Sequence, residues 1–164
     1  MRMAGRIDRI DRRNDGSLEI RDYKTGGSRD YSISDPFRQG RQLQPLLYCE
    51  MLRRGLEVRG GMEKVSRFSY HFLSPKEEGR VLSFEASGLL PGLSIVEKLL
   101  SLMAAGCFPF AARGGDMKYS DYRPLFGDCR LAARAAELKA VSNSVLAPWR
   151  ELSLPAVFED DEDG

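Results

Sequence analysis

Residues 5–27, GRIDRIDRRNDGSLEIRDYKTGG, contain two short alternating runs, 5–11 and 17–23, on either side of a polar stretch. The polar stretch ends in an Asp-Gly pair, which is typical of a hairpin because glycine accepts the positive φ that such turns require. Its length, residues 12–16, predicts a loop longer than two residues. The sequence therefore predicts an antiparallel hairpin close to Met1.

Acidic and basic side chains are arranged along this hairpin in a regular way. Alternation in the second run places Leu18, Ile20 and Asp22 on one face, and Lys24 points the same way. Asp8 lies within the first run. Carboxylates from two adjacent strands can hold a hard divalent cation, and a nearby lysine can polarise a phosphate oxygen. The pattern fits metal-assisted phosphodiester cleavage; a hairpin with solvated charges is the alternative.

Two motifs in this hairpin resemble those of a known family. GRID at 5–8 followed by IRDYKT at 20–25 resembles the signature of the PD-(D/E)XK nuclease superfamily, and more narrowly that of its RecB/AddB-type exonuclease branch. The resemblance implies an Mg²⁺-dependent deoxyribonuclease, with Mn²⁺ as a substitute, that serves DNA repair and recombination. It also implies four roles: Asp8, Asp22 and the backbone carbonyl of Tyr23 as metal ligands, and Lys24 as the catalytic lysine.

A second stretch fits the same branch. Members carry Gln-x-x-x-Tyr on the helix after the catalytic strands, and Gln44 and Tyr48 match this pattern. A spacing of four places both on one helical face. The resemblance implies that the pair supports the site by orienting DNA or the lysine; polar residues at the edge of an ordinary core helix are the alternative.

Two features of the branch have no counterpart in this sequence. The helix that bears its first His or Glu ligand lies upstream, and this chain begins at Met1, so we expect that helix to be missing. Residues 106–109 and 118–123 resemble the segment that binds an iron–sulfur cluster, but Met117 and Ser120 stand where cysteines are expected. Because such clusters need thiolates, we expect no iron–sulfur cluster, with Cys129 as a remnant.

The composition suits one soluble domain. The 164 residues are 42% hydrophobic and 30% charged, no apolar run reaches membrane-spanning length, and we expect no signal peptide. Three cysteines, odd in number, suit a reducing compartment, so we expect a cytoplasmic protein without a membrane partner. We expect a nuclease domain over residues 1–158 and an acidic, disordered tail over 159–164. Without that tail the net charge rises from +1 to +6 (25 basic minus 19 acidic residues), which suits DNA.

The remaining pattern predicts an α/β fold of the restriction-endonuclease-like type, with a mixed sheet of four or five strands flanked by helices. Strands are predicted at 65–73 and 80–85; helices are predicted at 37–54, 93–105 and 131–145, the last ended by Pro148. Pro45 should either kink the first helix or mark the start of its second half. His71, the single histidine, is interpreted as a strand residue rather than a catalytic one.

Three functions follow from these observations. The first is the metal-dependent nuclease, with any helicase or ATPase region elsewhere in the protein or in a partner subunit, because the sequence has no P-loop. The second is a catalytically inactive DNA-binding or scaffold module on the same fold. The third is an unrelated binder of small ligands.

Overall fold

The computed structural model describes residues 4–108, 121 and 123–153. The chain divides into two compact units, Met1–Ser94 and Ile95–Gly164, and all the described strands lie in the first. The predicted α/β fold is confirmed, since a mixed sheet of four strands is accompanied by helices. The acidic residues 159–164 lie outside the described part of the chain.

The predicted hairpin is present. Strands β1 (Arg9–Arg12) and β2 (Leu18–Lys24) pair in antiparallel fashion, and residues 13–17 connect them. Gly16 has a φ of +80°, which explains why a glycine occupies this place in the turn. The prediction of a loop longer than two residues is therefore confirmed.

The first strand is shorter than predicted, because it begins at Arg9 rather than at Gly5. Immediately before it, the Asp8 side chain accepts a hydrogen bond from the backbone N–H of Tyr23, with Oδ2 at 3.1 Å from the nitrogen. The carboxylate thus occupies the place of the backbone acceptor that a longer strand would supply. As a result, the β1–β2 ladder ends where Asp8 begins.

The sheet has the strand order β1-β2-β3-β4, where β3 is Val65–Phe72 and β4 is Val81–Glu85. Strands β2 and β3 are parallel, whereas the other two pairs are antiparallel. A parallel pair requires a crossover connection, and helix α1 (Gln44–Val58) supplies it. The crossover brings the start of α1 next to the carboxyl end of β2.

One face of the sheet packs into the core of the first unit. The alternating side chains of β2, β3 and β4 point to this face, and α1 covers it with its own apolar residues. The buried apolar residues of this core include Leu18, Ile20, Phe68, Tyr70, Phe72, Leu82, Phe84, Leu46 and Cys49. Asp22 shares this face with them and is buried as well.

Helix α1 differs from the prediction at both ends. It begins at Gln44 rather than near residue 37, with Pro45 in its first turn, and it continues beyond residue 54 to Val58. A proline is favourable in the first turn because its missing N–H has no partner there. Of the two roles considered for Pro45, the structure shows the start of a helix. The chain before it, Arg38–Gly40, forms a 3₁₀ turn instead.

Two helices follow β4. Ala86–Leu89 forms a short helix, α2, that was not predicted, and α3 covers Gly92–Ala104, close to the predicted helix 93–105. A Cβ atom on Gly92 would lie 2.5 Å from the Phe37 ring, so only glycine fits at this position. By length and composition alone, Ala86–Ala104 as a whole passes as a segment that could cross a membrane. Turn residues 90–91 divide this segment into two helices.

The second unit is helical in its described part. Its helices cover Arg123–Phe126, Cys129–Ser142 and Ala147–Ser153, the second of which matches the predicted helix 131–145 in most of its length. The prediction that Pro148 ends a helix is wrong, because Pro148 lies in the first turn of the last helix. Arg150 donates hydrogen bonds to the carbonyl oxygens of Ala140 and Asn143, at 2.7 and 2.9 Å, which stabilises the preceding helix end.

Candidate functional site

The second strand presents a buried carboxylate beside an ammonium group. Asp22 and Lys24 are two residues apart on β2, so both point to the face covered by α1. The Lys24 Nζ lies 2.7 Å from Asp22 Oδ2, and the Asp22 residue is only 4% exposed. At the carboxyl end of the strand the lysine is partly accessible, since its side chain retains 26% exposure.

Gln44, the first residue of α1, joins these two side chains. Its Nε2 donates to Asp22 Oδ1 at 2.7 Å, and its Oε1 accepts from Lys24 Nζ at 2.9 Å. Asp22, Lys24 and Gln44 thus form a closed set, named the Asp22–Lys24–Gln44 triangle below. A side-chain amide can donate to a carboxylate through its NH₂ group and accept from an ammonium through its oxygen at once.

An aromatic ring lies against the triangle. The Lys24 Nζ lies 5.2 Å from the centroid of the Tyr70 ring, within the range of a cation–π interaction. Tyr70 is paired with Asp22 in the parallel β2–β3 register, which explains its position. Burial raises the pKa of Tyr70, and the nearby Tyr31 and Asp22 raise it further. Sequence analysis missed this residue.

Asp8 lies in the chain segment directly before β1. The β1–β2 register ends at the pair Arg9 and Arg21, so Asp8 and Asp22 each lie one residue beyond this last pair. Asp8 is exposed, and its Oδ2 is 3.1 Å from the backbone nitrogen of Tyr23. The structure thus places Asp8 against the backbone of Tyr23, the residue that follows Asp22 on β2.

The backbone carbonyl of Tyr23 points toward Asp8. Lys24 uses its carbonyl oxygen to accept from the backbone N–H of Leu73 at 2.9 Å, so the Lys24 carbonyl faces β3. Successive carbonyls of a strand point to opposite sides, and the N–H and C=O of one residue point to the same side. Because the Tyr23 N–H bonds Asp8, its carbonyl faces Asp8 too.

Tyr48 lies one helical turn after Gln44, as predicted, and it lies between the chain before β1 and strand β3. A Cβ atom on Gly5 would lie 3.2 Å from both the Tyr48 ring and the Met51 methyl group. The other side of the Tyr48 ring meets Phe68, with ring centroids 6.5 Å apart. Gly5 therefore permits close packing of the segment that leads to Asp8 against α1.

The loop after β2 is tied to the β3–β4 turn. Ser28 donates from its backbone N–H and its hydroxyl to Glu77, at 2.8 and 2.6 Å, and Arg80 donates to the Ser28 hydroxyl at 2.9 Å. The Ser28 donors lower the pKa of Glu77. These bonds hold the loop that leads away from Lys24.

Three arginines of this region differ in their surroundings. Arg38 forms an ion pair with Asp30 at 3.2 Å, while Arg29 and Arg41 are exposed. Arg38 also has a φ of +43°, which is uncommon for a residue other than glycine.

The other face of the sheet carries a separate polar cluster. Glu19 is buried there, where it accepts from the Ser69 hydroxyl and pairs with Arg21 and Arg13 at 3.5 and 3.9 Å. His71 lies in β3 on this same face, with its ring 5.7 Å from that of Tyr23. The histidine is thus on the opposite side of the sheet from Asp22.

The donor atoms at Asp8, Asp22 and Tyr23 fit a hard divalent cation, because all of them are oxygens. The number of ligating side chains is small: within the described ranges, no group of three or more His, Cys, Asp or Glu side chains is placed to hold a metal ion. Magnesium commonly keeps several water ligands, so few protein ligands are compatible with it.

The structure describes only some of the residues that were considered for an iron–sulfur cluster. Met117 and Ser120 lie outside the described residues. Cys129 is the first residue of a helix, and Cys107 is partly exposed with a free thiol.

Comparison with known proteins gives one match. The model of the PD-(D/E)XK nuclease superfamily matches residues 1–148, which is most of the chain and includes every predicted site residue. Neither a curated protein nor a solved structure shows significant similarity to the chain.

Proposed function

The chain belongs to the PD-(D/E)XK nuclease superfamily, and we propose that it is a metal-dependent nuclease that hydrolyses phosphodiester bonds of DNA. One observation carries this proposal: the Asp22–Lys24–Gln44 triangle forms at the end of β2, and Asp8 accepts a hydrogen bond from the backbone of Tyr23, which lies between Asp22 and Lys24. More narrowly, we propose an exonuclease domain of the RecB/AddB type, which acts in DNA repair and recombination.

In this proposal Asp8, Asp22 and the Tyr23 carbonyl hold Mg²⁺, or Mn²⁺ in its place. When bound, the ion stabilises charge on the phosphate and lowers the pKa of a water ligand. Lys24 places its ammonium beside the scissile phosphate, where it stabilises the negative charge that develops in the transition state. Gln44 orients the ammonium through its Oε1.

Tyr48 has a supporting role in the same proposal. It packs against Gly5, three residues before Asp8, and so fixes the segment that carries this carboxylate. A small displacement of a ligand or a catalytic group costs much of the rate. Tyr48 therefore contributes to activity without contact to the reacting atoms.

We further propose a cytoplasmic protein with DNA as its substrate and with a helicase or ATPase region in the same protein or a partner subunit. The net charge of +6 over residues 1–158 supports binding to a phosphate backbone. We also propose that these residues form one nuclease domain without an iron–sulfur cluster. A purified protein that is colourless under anaerobic conditions supports the last point, and a stoichiometric iron content contradicts it.

The decisive experiment is cleavage of end-labelled linear DNA with Mg²⁺, Mn²⁺ or EDTA. We expect cleavage with either metal, none with EDTA, and none in Asp8→Ala. The matched control is Asp11→Ala, because Asp11 lies three residues later on β1 and pairs with Arg9 and Arg21 on the other face. Equal activity in Asp8→Ala and the wild type would overturn the assignment.

A second candidate is a catalytically inactive DNA-binding module on the same fold. The small number of acidic side chains near Asp22, in the part of the chain that the structure describes, favours it. Salt-sensitive DNA binding without cleavage in any metal would identify this function.

A further inference from the structure

The Lys24 ammonium has contacts of three kinds. It pairs with Asp22 Oδ2 at 2.7 Å, donates to Gln44 Oε1 at 2.9 Å, and lies 5.2 Å from the centre of the Tyr70 ring. The first partner is an anion, the second a neutral amide and the third an aromatic face. Of the three, the anion is the strongest ligand for a hard divalent cation.

Metal binding therefore changes the surroundings of Lys24. Gln44 donates to Asp22 Oδ1, whereas the buried Oδ2 accepts no hydrogen bond and lies 2.7 Å from the Lys24 ammonium in an ion pair. A cation bound to Asp22 Oδ2 would share this oxygen with the ammonium, and its charge would repel the ammonium. Once Asp22 is shared with a cation, the attraction that holds Lys24 comes to depend on Gln44 and Tyr70.

We infer that Tyr70 is a positioning residue for Lys24: the face of its ring keeps the ammonium at the site when a metal ion binds Asp22. This inference rests on the proposed nuclease function. It adds a residue of β3 to the site, whereas the sequence motifs lie on β2 and α1.

The ring is well suited to this role because it is rigidly placed. Tyr70 is 1% exposed, and the rings of Tyr31, Phe68 and Phe84 pack against it with centroid distances of 4.7, 4.9 and 6.1 Å. The β2–β3 register, in which Tyr70 pairs with Asp22, fixes the position of Tyr70 along the strand direction. Lys24 and the ring thus keep their relative positions through the backbone of β2 and β3.

A graded change in the electrostatics of the ring tests this inference with little change in shape. Phenylalanine and its mono-, di- and trifluorinated analogues are placed at position 70, since fluorine weakens the negative charge of the ring face. We expect Tyr70→Phe to retain kcat within about twofold, and kcat to fall stepwise with fluorination, by about tenfold in total. The Kd for DNA in Ca²⁺ should stay constant.

The same analogues at Phe84 provide the matched control. Phe84 lies in the same core and contacts the Tyr70 ring, but it is on β4 and further from β2. We expect kcat to be equal across the Phe84 series. A fall of equal size in both series would show a packing effect and would overturn the inference, as would a constant kcat in the series at position 70.

A second readout does not need catalysis. In protein labelled at the lysine ε-carbons, the Lys24 ε-protons should be shifted upfield by the Tyr70 ring current, and Tyr70→Leu should remove the shift. We expect the shift to persist in saturating Mg²⁺. Its loss on Mg²⁺ binding would overturn the inference while leaving the nuclease function intact. A protein that binds no Mg²⁺ and cleaves no DNA would instead overturn the proposed function, and Tyr70 would have no reaction to serve.

Discussion

Strand β2 carries two buried carboxylates on opposite faces of the sheet. Asp22 is 4% exposed and Glu19 is 8% exposed, so burial does not distinguish them. They differ in their partners. Glu19 accepts from a hydroxyl and faces two arginines, Arg21 and Arg13. Asp22 faces one lysine and one amide, and the Asp8 carboxylate bonds the backbone N–H of the next residue, Tyr23.

The two faces also differ in their local charge. The Glu19 cluster contains two carboxylates, Glu19 and Asp11, and three guanidinium groups, from Arg9, Arg13 and Arg21, which sum to +1. The site around Asp22 contains the buried Asp22 carboxylate, the exposed Asp8 carboxylate and one ammonium, which sum to −1. A net negative charge attracts a cation, whereas the Glu19 cluster has more guanidinium groups than carboxylates. We therefore expect chemistry on the Asp22 face and a stabilising role for the Glu19 face.

The largest expected effect separates the two carboxylates directly. Asp22→Asn should abolish metal-dependent cleavage with little loss of stability, because it removes a charged ligand but retains the shape of the side chain. Glu19→Gln should keep kcat within about twofold and lower the free energy of unfolding by about 1–3 kcal/mol, because it weakens buried charge-assisted hydrogen bonds. Cleavage rates and urea unfolding of both variants check this. Loss of cleavage in both would contradict the comparison.

The next effect concerns the cations of the two faces. Lys24→Met should lower the rate of cleavage of bound DNA by on the order of a hundredfold, since the ammonium acts on the transition state. DNA affinity measured in Ca²⁺ should change little. Arg21→Met is the matched variant on the other face, where Arg21 pairs with Asp11 and Glu19, and it should retain the rate. A Lys24→Met variant that binds DNA poorly but cleaves it normally at saturation would contradict the assigned role.

Local pattern predicted much of this arrangement. Alternation placed Asp22 and Lys24 on one face, and the four-residue spacing placed Gln44 and Tyr48 on one side of a helix. The contact of Gln44 with Asp22 and Lys24 agrees with the family motif. These features depend on residues close together in the sequence or on a motif, so the sequence was sufficient for them.

Features that depend on pairing between distant segments were not predicted. Tyr70 reaches Lys24 only because β3 lies parallel to β2 with Asp22 opposite Tyr70, and no local pattern sets this register. The balanced surroundings of Glu19 likewise depend on Ser69 of β3. The start of α1 was placed too early because the apolar spacing continues before Pro45, although the chain does not become helical until Gln44.

A smaller effect should appear in the acid stability of the protein. Burial raises the pKa of Glu19, but the Ser69 hydroxyl and Arg21 outweigh it and hold the pKa below its ordinary value of 4.5. A lowered pKa in the folded state means that the ionised form stabilises the fold, and this contribution is lost as the pH falls through the folded-state pKa. Below about pH 4.5, the melting temperature of the wild type should therefore fall more steeply than that of Glu19→Gln. Parallel curves would show that Glu19 does not carry this contribution.

The smallest effect concerns His71, on the same face as Glu19. Burial lowers its pKa below the ordinary value of 6.5, and the charge of Arg21 lowers it further, while Glu19 and Asp11 act in the opposite direction. The folded state thus favours the neutral imidazole, so the unfolded chain takes up a proton first as the pH falls below 6.5, and stability decreases. Glutamine is neutral at every pH, so His71→Gln should remove this loss of stability at low pH. The loss should amount to a few degrees in melting temperature at most. The kcat of His71→Gln should equal that of the wild type at neutral pH, because Asp22 and Lys24 point away from it. A marked fall in kcat in His71→Gln would place the histidine in the site and would end the separation of the two faces.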